Sequence, residues 1–331
     1  MAFQMAVSHN VTGELVEMYR QVLVMCQVKE GEHVLLHSTS NTFPQHPAAF
    51  MGAALALGAD VFQITHPQNS PEKAVVDAWV RADMVIDLTA GAHAYGDIVQ
   101  IAQKEGTRIL RVADTPENLR RLFPLEEVRH RVIAGAAIMG QSNTMRITSP
   151  FGTDLTLYKE GRIGAMNYSI ADKPGRWDIW PSGMVNCAPI EDMGEGVLVL
   201  APGDVMLATG QYVREKVTME VKDGCITKIW GGLEADFLRN DYFARFNDPN
   251  AYRISHVGWG CEKRADWLKF GQDNECYYGN MQIAFGANVG VFIQGRTRCK
   301  AHMDFPCRFN SYWCDDTQIM SEGQFLIDEL K

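Results

Sequence analysis

His302 and Asp304 stand two apart in Arg298-Cys299-Lys300-Ala301-His302-Met303-Asp304-Phe305. In a β-strand successive side chains alternate between faces, so this spacing turns an imidazole and a carboxylate the same way. Together they offer one divalent metal a nitrogen and an oxygen from adjacent positions. A third ligand is available in His256, within Ser255-His256-Val257-Gly258-Trp259-Gly260. Two histidines and one carboxylate, with positions left open, form the donor set of non-haem Fe(II) oxygen chemistry, and the same donors suit Mn(II). On spacing alone the plainer reading of His-x-Asp is a strand with two polar residues facing water.

The elements that must hold these residues fall into two patterns. Residues 12–28 place Leu15, Met18, Tyr19, Val22, Leu23 and Cys26 at helical spacing, with Thr12 as N-cap. A strand follows at 32–37 and a helix at 47–57 closed by Gly58. Then come a strand at 60–65, a helix at 71–81, a strand at 83–88, a helix at 95–105 closed by Gly106, a strand at 108–112 and a helix at 116–122. Strands alternating with helices predict a parallel sheet, here a Rossmann-like α/β domain over residues 1–140. After its first strand the chain runs His37-Ser38-Thr39-Ser40-Asn41, without the glycine fingerprint that lets a pyrophosphate approach the backbone. A nicotinamide-dependent enzyme is therefore disfavoured. The carboxyl ends of these strands, where open α/β sheets bind ligands, hold His37, His66, Asp114 and the loop around His93. His93 reads either as a general acid/base or substrate hydrogen-bond donor, or as a capping or surface histidine. Without family information the second is the plainer reading.

From residue 141 to 331 the pattern predicts a mostly antiparallel β (α+β) domain that carries the metal site. Hairpins are expected at 144–157, at 196–207 and at 217–229, the last turning on Asp223-Gly224. One helix, 233–246, interrupts them, with Leu233, Phe237, Leu238 and Phe243 inward. Strands at 281–285 and 289–294 precede the His302 strand. The stretch Lys173-Pro174-Gly175-Arg176-Trp177-Asp178-Ile179-Trp180-Pro181-Ser182-Gly183 reads as an ordered loop whose tryptophan faces suit a planar ligand or pack a structural corner. Asp178 is either a further polar group of the site or an exposed capping carboxylate.

Bulk properties narrow the classes. The chain has 331 residues, 46% of them hydrophobic and 21% charged, with a net charge of -9 and no basic block. Nucleic acid and anionic membrane surfaces are poor partners for such a chain. No apolar run is long enough for a bilayer, and the N-terminus lacks a signal-peptide pattern. The eight cysteines are scattered without a Cys-x-x-Cys pair, and are read as reduced cytosolic thiols.

The run Trp180-Pro181-Ser182-Gly183-Met184-Val185-Asn186-Cys187-Ala188-Pro189, followed by Gly194-Glu195-Gly196-Val197-Leu198-Val199, resembles the thermophilic aminopeptidases of peptidase family M29. The likeness continues through Lys222-Asp223-Gly224, the helix to Phe246, the His256 segment and Gln282-Ile283-Ala284-Phe285-Gly286-Ala287-Asn288 to His302-x-Asp304. It covers most of the second half; the first half has no sharp motif. That family binds two metals through two glutamates, two histidines and an aspartate. Here the first glutamate position holds Met184, the second His256, and the first histidine position Gln282. Methionine supplies no hard carboxylate oxygen, so the two-metal hydrolytic site is dismantled and a single site remains.

The altered set resembles a branch of the same superfamily, the 2,5-dihydroxypyridine 5,6-dioxygenases. That resemblance implies one Fe(II) per chain, held by His256, His302 and Asp304, and a ring opened by O2 to N-formylmaleamate. It implies a small heteroaromatic substrate and suggests a ring-recognition role for His93 and the Trp177 loop; Asp178 and Gln282 are further substrate-binding candidates, and His93 is the candidate for protonating or anchoring the oxygen species. It also implies a homo-oligomer, and the thiols without a secretory signal point to the cytoplasm. The competing readings are a dioxygenase for another hydroxylated ring, a metallohydrolase with a remodelled site, and a scaffold that kept the fold without the chemistry.

Overall fold

The computed structural model describes residues 11–67, 73–89, 95–112 and 114–331. These residues form a mixed α/β fold with one parallel sheet and three antiparallel ones. Two compact units emerge, Met1–Phe123 with Ser169–Pro181, and Pro124–Tyr168 with Ser182–Lys331. The division at residue 140 read from the sequence differs at two places: the helix Glu126–Gln141 belongs with the second unit, and Ser169–Pro181 with the first. Among the described residues no helix is long and apolar enough to cross a membrane.

The first unit is built on a five-stranded parallel sheet in the order Asp60–His66, His33–Thr39, Met84–Asp87, Arg108–Val112, Trp177–Trp180. Val34, Leu35 and Leu36 in the His33–Thr39 strand are fully buried, as a short apolar run in a parallel sheet requires. The flanking helices are Val11–Met25, Gln45–Leu55, Lys73–Arg81, Asp97–Lys104 and Pro116–Arg121. Gly58 and Gly106 take positive φ just past two of these helices, as the sequence predicted. The Thr12 cap concerns a side chain outside the described residues.

The fifth strand of that sheet corrects the loop expected over residues 173–183. Trp177–Trp180 pairs with Arg108–Val112, and all four of its residues are buried. Asp178 is fully buried, not an exposed cap. Its carboxylate accepts from Arg176 Nη2 at 2.7 Å and from the Ile179 backbone N–H at 2.8 Å. A carboxylate inside a sheet persists only with such partners.

The second unit holds an eight-stranded antiparallel sheet and a five-stranded one. The hairpin Val217–Lys222 to Cys225–Gly231 forms as expected, with Asp223 and Gly224 both at positive φ. Thr144–Thr148 pairs with Asp154–Tyr158, also as expected. The hairpin expected over 196–207 does not form. Glu195–Leu200 pairs instead with Val217–Lys222 and Asp154–Tyr158, and Val205–Met206 pairs with Gln211–Tyr212. The intervening turn is diverted: Gly203 takes φ 92, and the Asp204 carboxylate accepts from the Ala201 N–H at 2.8 Å. Residues 289–294 are a turn with one isolated bridge, Val289 to Gly295, where a strand was expected.

The helix expected over 233–246 starts as α at Leu233–Phe237, widens to a π-helix at Leu238–Phe243 and ends as 3-10 at Ala244–Phe246. The wider turn shifts the helical phase. Adjacent Tyr242 and Phe243 both point inward, while Leu233, expected inside, is 71% exposed.

Candidate metal centre

The five-stranded antiparallel sheet of the second unit runs in the order His302–Cys307, Met281–Gly286, Ile254–Gly260, Met184–Cys187, Ala165–Asn167. Cross-strand partners share a face. His256 and Asp304 both pair with Ala284, and His302 pairs with Gly286. Three polar side chains therefore rise from one face around a floor of alanine and glycine. Gly286 is required there: its φ is 110, and a Cβ would meet the Ala301 carbonyl oxygen at 2.2 Å. The opposite face is packed solid. Gly135 of the helix Glu126–Gln141 lies against Val185 and Trp259, and Tyr312 donates to the Gly258 carbonyl at 2.6 Å.

One ligand atom from each of His256, His302 and Asp304 lies within 4.8 Å of the others. His256 Nε2 is 3.1 Å from Asp304 Oδ1, and His302 Nε2 is 3.1 Å from Asp304 Oδ2. His302 Nδ1 lies 3.0 Å from the Ala287 carbonyl. A carbonyl only accepts, so Nδ1 carries a proton and the Nε2 lone pair of the neutral ring faces inward. Tyr242, brought inward by the π-turn, donates its hydroxyl to the His302 carbonyl at 2.8 Å. Burial, with the Asp304 charge adding, pushes the Tyr242 hydroxyl up to about 12, so it stays a donor.

The electrostatics suit a cation. Burial lowers the His256 pKa, and Asp304 opposes this without cancelling it, which favours the neutral ligand form. Burial acts the same way on His302, but there Asp304 and the Ala287 carbonyl outweigh it and the pKa rises. Burial opposes the charge on Asp304, yet the two imidazoles hold its carboxyl well below the usual range. Two nitrogens and one ionised oxygen converging in a buried place are a donor set that fits a divalent transition metal.

The remaining candidates fall as follows. Gln282 is fully buried on the same face, with Nε2 3.4 Å from Asp304 Oδ1. Met184, at the vacated glutamate position, is buried on that face two strands away, paired with Gly260. Trp177 and Asp178 lie in the parallel sheet of the first unit. His93 lies outside the described residues. Sequence reasoning did not single out Tyr242 or Asn186. The first is reached only through the π-turn, and the second only through strand register.

Asp178→Ala should destabilise the protein by about 2–3 kcal/mol, because it removes the nearer of the two carboxylates, Asp178 and Asp172, that face the half-buried Arg176 guanidinium. A denaturant midpoint compared with wild type checks this. An unchanged midpoint would contradict it.

The chain resembles known proteins along nearly its whole length. A family model described as 2,5-dihydroxypyridine 5,6-dioxygenase matches residues 14–327. A curated 2,5-dihydroxypyridine 5,6-dioxygenase from Pseudomonas putida KT2440 is 34% identical, across 96% of this chain and 97% of its own. The solved structure of the 2,5-dihydroxypyridine dioxygenase from Pseudomonas putida KT2440 superposes with a TM-score of 0.88 at 32% identity, covering 97% of this chain and 99% of that one. AmpT from Thermus thermophilus shares the fold, with a TM-score of 0.66 at 15% identity over 95% of this chain and 99% of its own. The chain belongs to the 2,5-dihydroxypyridine 5,6-dioxygenase family and is an oxygenase.

Proposed function

We propose that this protein binds one Fe(II) through His256, His302 and Asp304 and uses O2 to open 2,5-dihydroxypyridine to N-formylmaleamate. The observation that carries the reading is the convergence of two imidazole Nε2 atoms and a carboxylate on one sheet face, in a chain one-third identical throughout to a named dioxygenase. When bound, the metal supplies a Lewis-acidic, redox-active centre for a ring hydroxyl and dioxygen.

The protein's own groups do the rest. Asp304 brings the negative charge that retains a divalent ion. The Ala287 carbonyl and the Tyr242 hydroxyl fix the His302 ring and its strand. Burial favours the neutral form of His256, and a neutral imidazole is the form that can ligate a metal. The ring carbons and both oxygen atoms of O2 all remain in the product, so the protein needs no external reductant. It must move a proton from a hydroxyl to the opened chain, and His93 is the group assigned that transfer on family likeness. A cytoplasmic homo-oligomer completes the reading.

His93→Ala should keep its iron and lose roughly 100-fold or more in turnover, the range general acid/base groups supply. Iron analysis beside initial rates of oxygen uptake checks it; equal rates would remove His93 from the mechanism. The function itself is tested by product analysis under labelled dioxygen. Two label atoms in a ring-opened amide support it. One atom, or hydrolysis of a peptide substrate in place of ring opening, refutes it.

A further inference from the structure

We infer that Asn186 and Gln282 form an amide subsite beside the metal ligands, which selects rings bearing an N–H and so separates nitrogen heterocycles from carbocyclic diols. The inference rests on the ring-opening reading above and names what recognises its substrate.

Strand register supplies the placement. Asn186 pairs with Gly258, and Gly258 pairs with Gln282. That rung lies two residues along from the rung of His256, Ala284 and Asp304, so the amides and the ligands share one face. The residues between them are Gly258 and Ala284, which raise almost nothing above the sheet. Gly258 is small for a reason visible here. A Cβ on it would meet Asn186 Oδ1 at 2.7 Å, so the Asn186 carboxamide lies across the space that a larger residue would fill.

The chemistry of the two amides indicates the ligand. Asn186 is 5% exposed and Gln282 is fully buried. Gln282 turns Nε2 toward Asp304, as the carboxylate charge demands, and this leaves Oε1 pointing elsewhere. Gln282 Oε1 and Asn186 Oδ1 are both buried without a hydrogen-bond donor. Buried acceptors are ordinarily satisfied, and an orphan pair on one face beside a donor set for a metal calls for a ligand that brings N–H. The lactam form of 2,5-dihydroxypyridine carries a ring N–H next to its carbonyl, and benzene-1,4-diol has the same outline without it. Sites built to hydrogen-bond a substrate group reject analogues that lack it, because the site's own groups are then left unpaired.

The test is binding without turnover. Iron-loaded protein under anaerobic conditions is titrated with 2,5-dihydroxypyridine and with benzene-1,4-diol in a calorimeter, for wild type, Asn186→Ala and Gln282→Met. Wild type should prefer the pyridine by about tenfold or more. Both variants should retain iron and lose most of that preference through weaker pyridine binding. Iron-loaded variants that keep the full preference, or a wild type without one, would overturn the subsite. If Asn186→Ala does not fold, the near-isosteric Gln282→Met decides alone. Oxygen uptake by wild type on admitting air is read separately. Its absence would sink the ring-opening reading while leaving the anaerobic preference measurable.

Discussion

Asp304→Ala should yield a folded protein that neither retains Fe(II) nor consumes oxygen with 2,5-dihydroxypyridine. Asp304 is the hub of the triad, with one carboxylate oxygen 3.1 Å from each imidazole Nε2. Removing it takes away both the only charged donor and the group that draws the two rings together. Partners that merely orient metal ligands typically contribute 10- to 100-fold, so loss of the hub should exceed about 100-fold in iron affinity and in rate. The fold should survive, because the opposite face of the sheet is held by Gly135, Val185, Trp259 and Tyr312. Iron content after gel filtration, compared with the thermal midpoint of the metal-free protein, separates loss of metal from loss of structure. Full iron retention in the variant would remove Asp304 from the ligand set.

The second large effect is expected from Gly258→Ala, which changes no chemical group at all. The added Cβ would sit 1.8 Å from the Val185 carbonyl oxygen, and the obstacle is backbone rather than a flexible side chain. The strands Met184–Cys187 and Ile254–Gly260 would have to separate, and His256 stands two residues from the point of separation. Overpacking ordinarily costs about 1–3 kcal/mol, and a backbone obstacle belongs at or above the upper end. The variant should therefore show a lower denaturant midpoint together with weaker iron retention. Gly13, in the helix Val11–Met25 with open space around its Cβ position, serves as the contrast: Gly13→Ala should leave iron retention unchanged and raise the midpoint slightly, by the roughly 0.5–1 kcal/mol that alanine gains over glycine in a helix. A Gly258→Ala protein as stable and as iron-rich as wild type would show that the strand spacing argued here is wrong.

Much of this was legible in the residues. Period-two spacing was enough to turn His302 and Asp304 to one face, and the Asp223-Gly224 turn and the buried strands of the first unit follow from local rules. What was not legible depends on pairing between distant segments. Trp177–Trp180 looks like a loop because of its prolines, glycines and a charge, yet it completes a parallel sheet once Arg176 neutralises Asp178. The π-turn at Leu238–Phe243 defeats a 3.6-residue periodicity, and so hid Tyr242 behind the His302 strand. Ala284, Gly286 and Gly258 carry no chemistry of their own and attract no attention in a sequence. Register shows that they are the floor from which His256, His302 and Asp304 rise.

The central claim is that one Fe(II) at His256, His302 and Asp304 carries the ring opening. The most direct measurement prepares the protein without oxygen, loads it with Fe(II), adds 2,5-dihydroxypyridine and then air, and follows oxygen uptake against loss of the ring's ultraviolet absorption. The account predicts one O2 consumed per ring lost, at one iron per chain, and no uptake in the three single alanine variants. Iron bound at full stoichiometry with the ring left intact would contradict it, as would uptake that persists when His256, His302 or Asp304 is replaced.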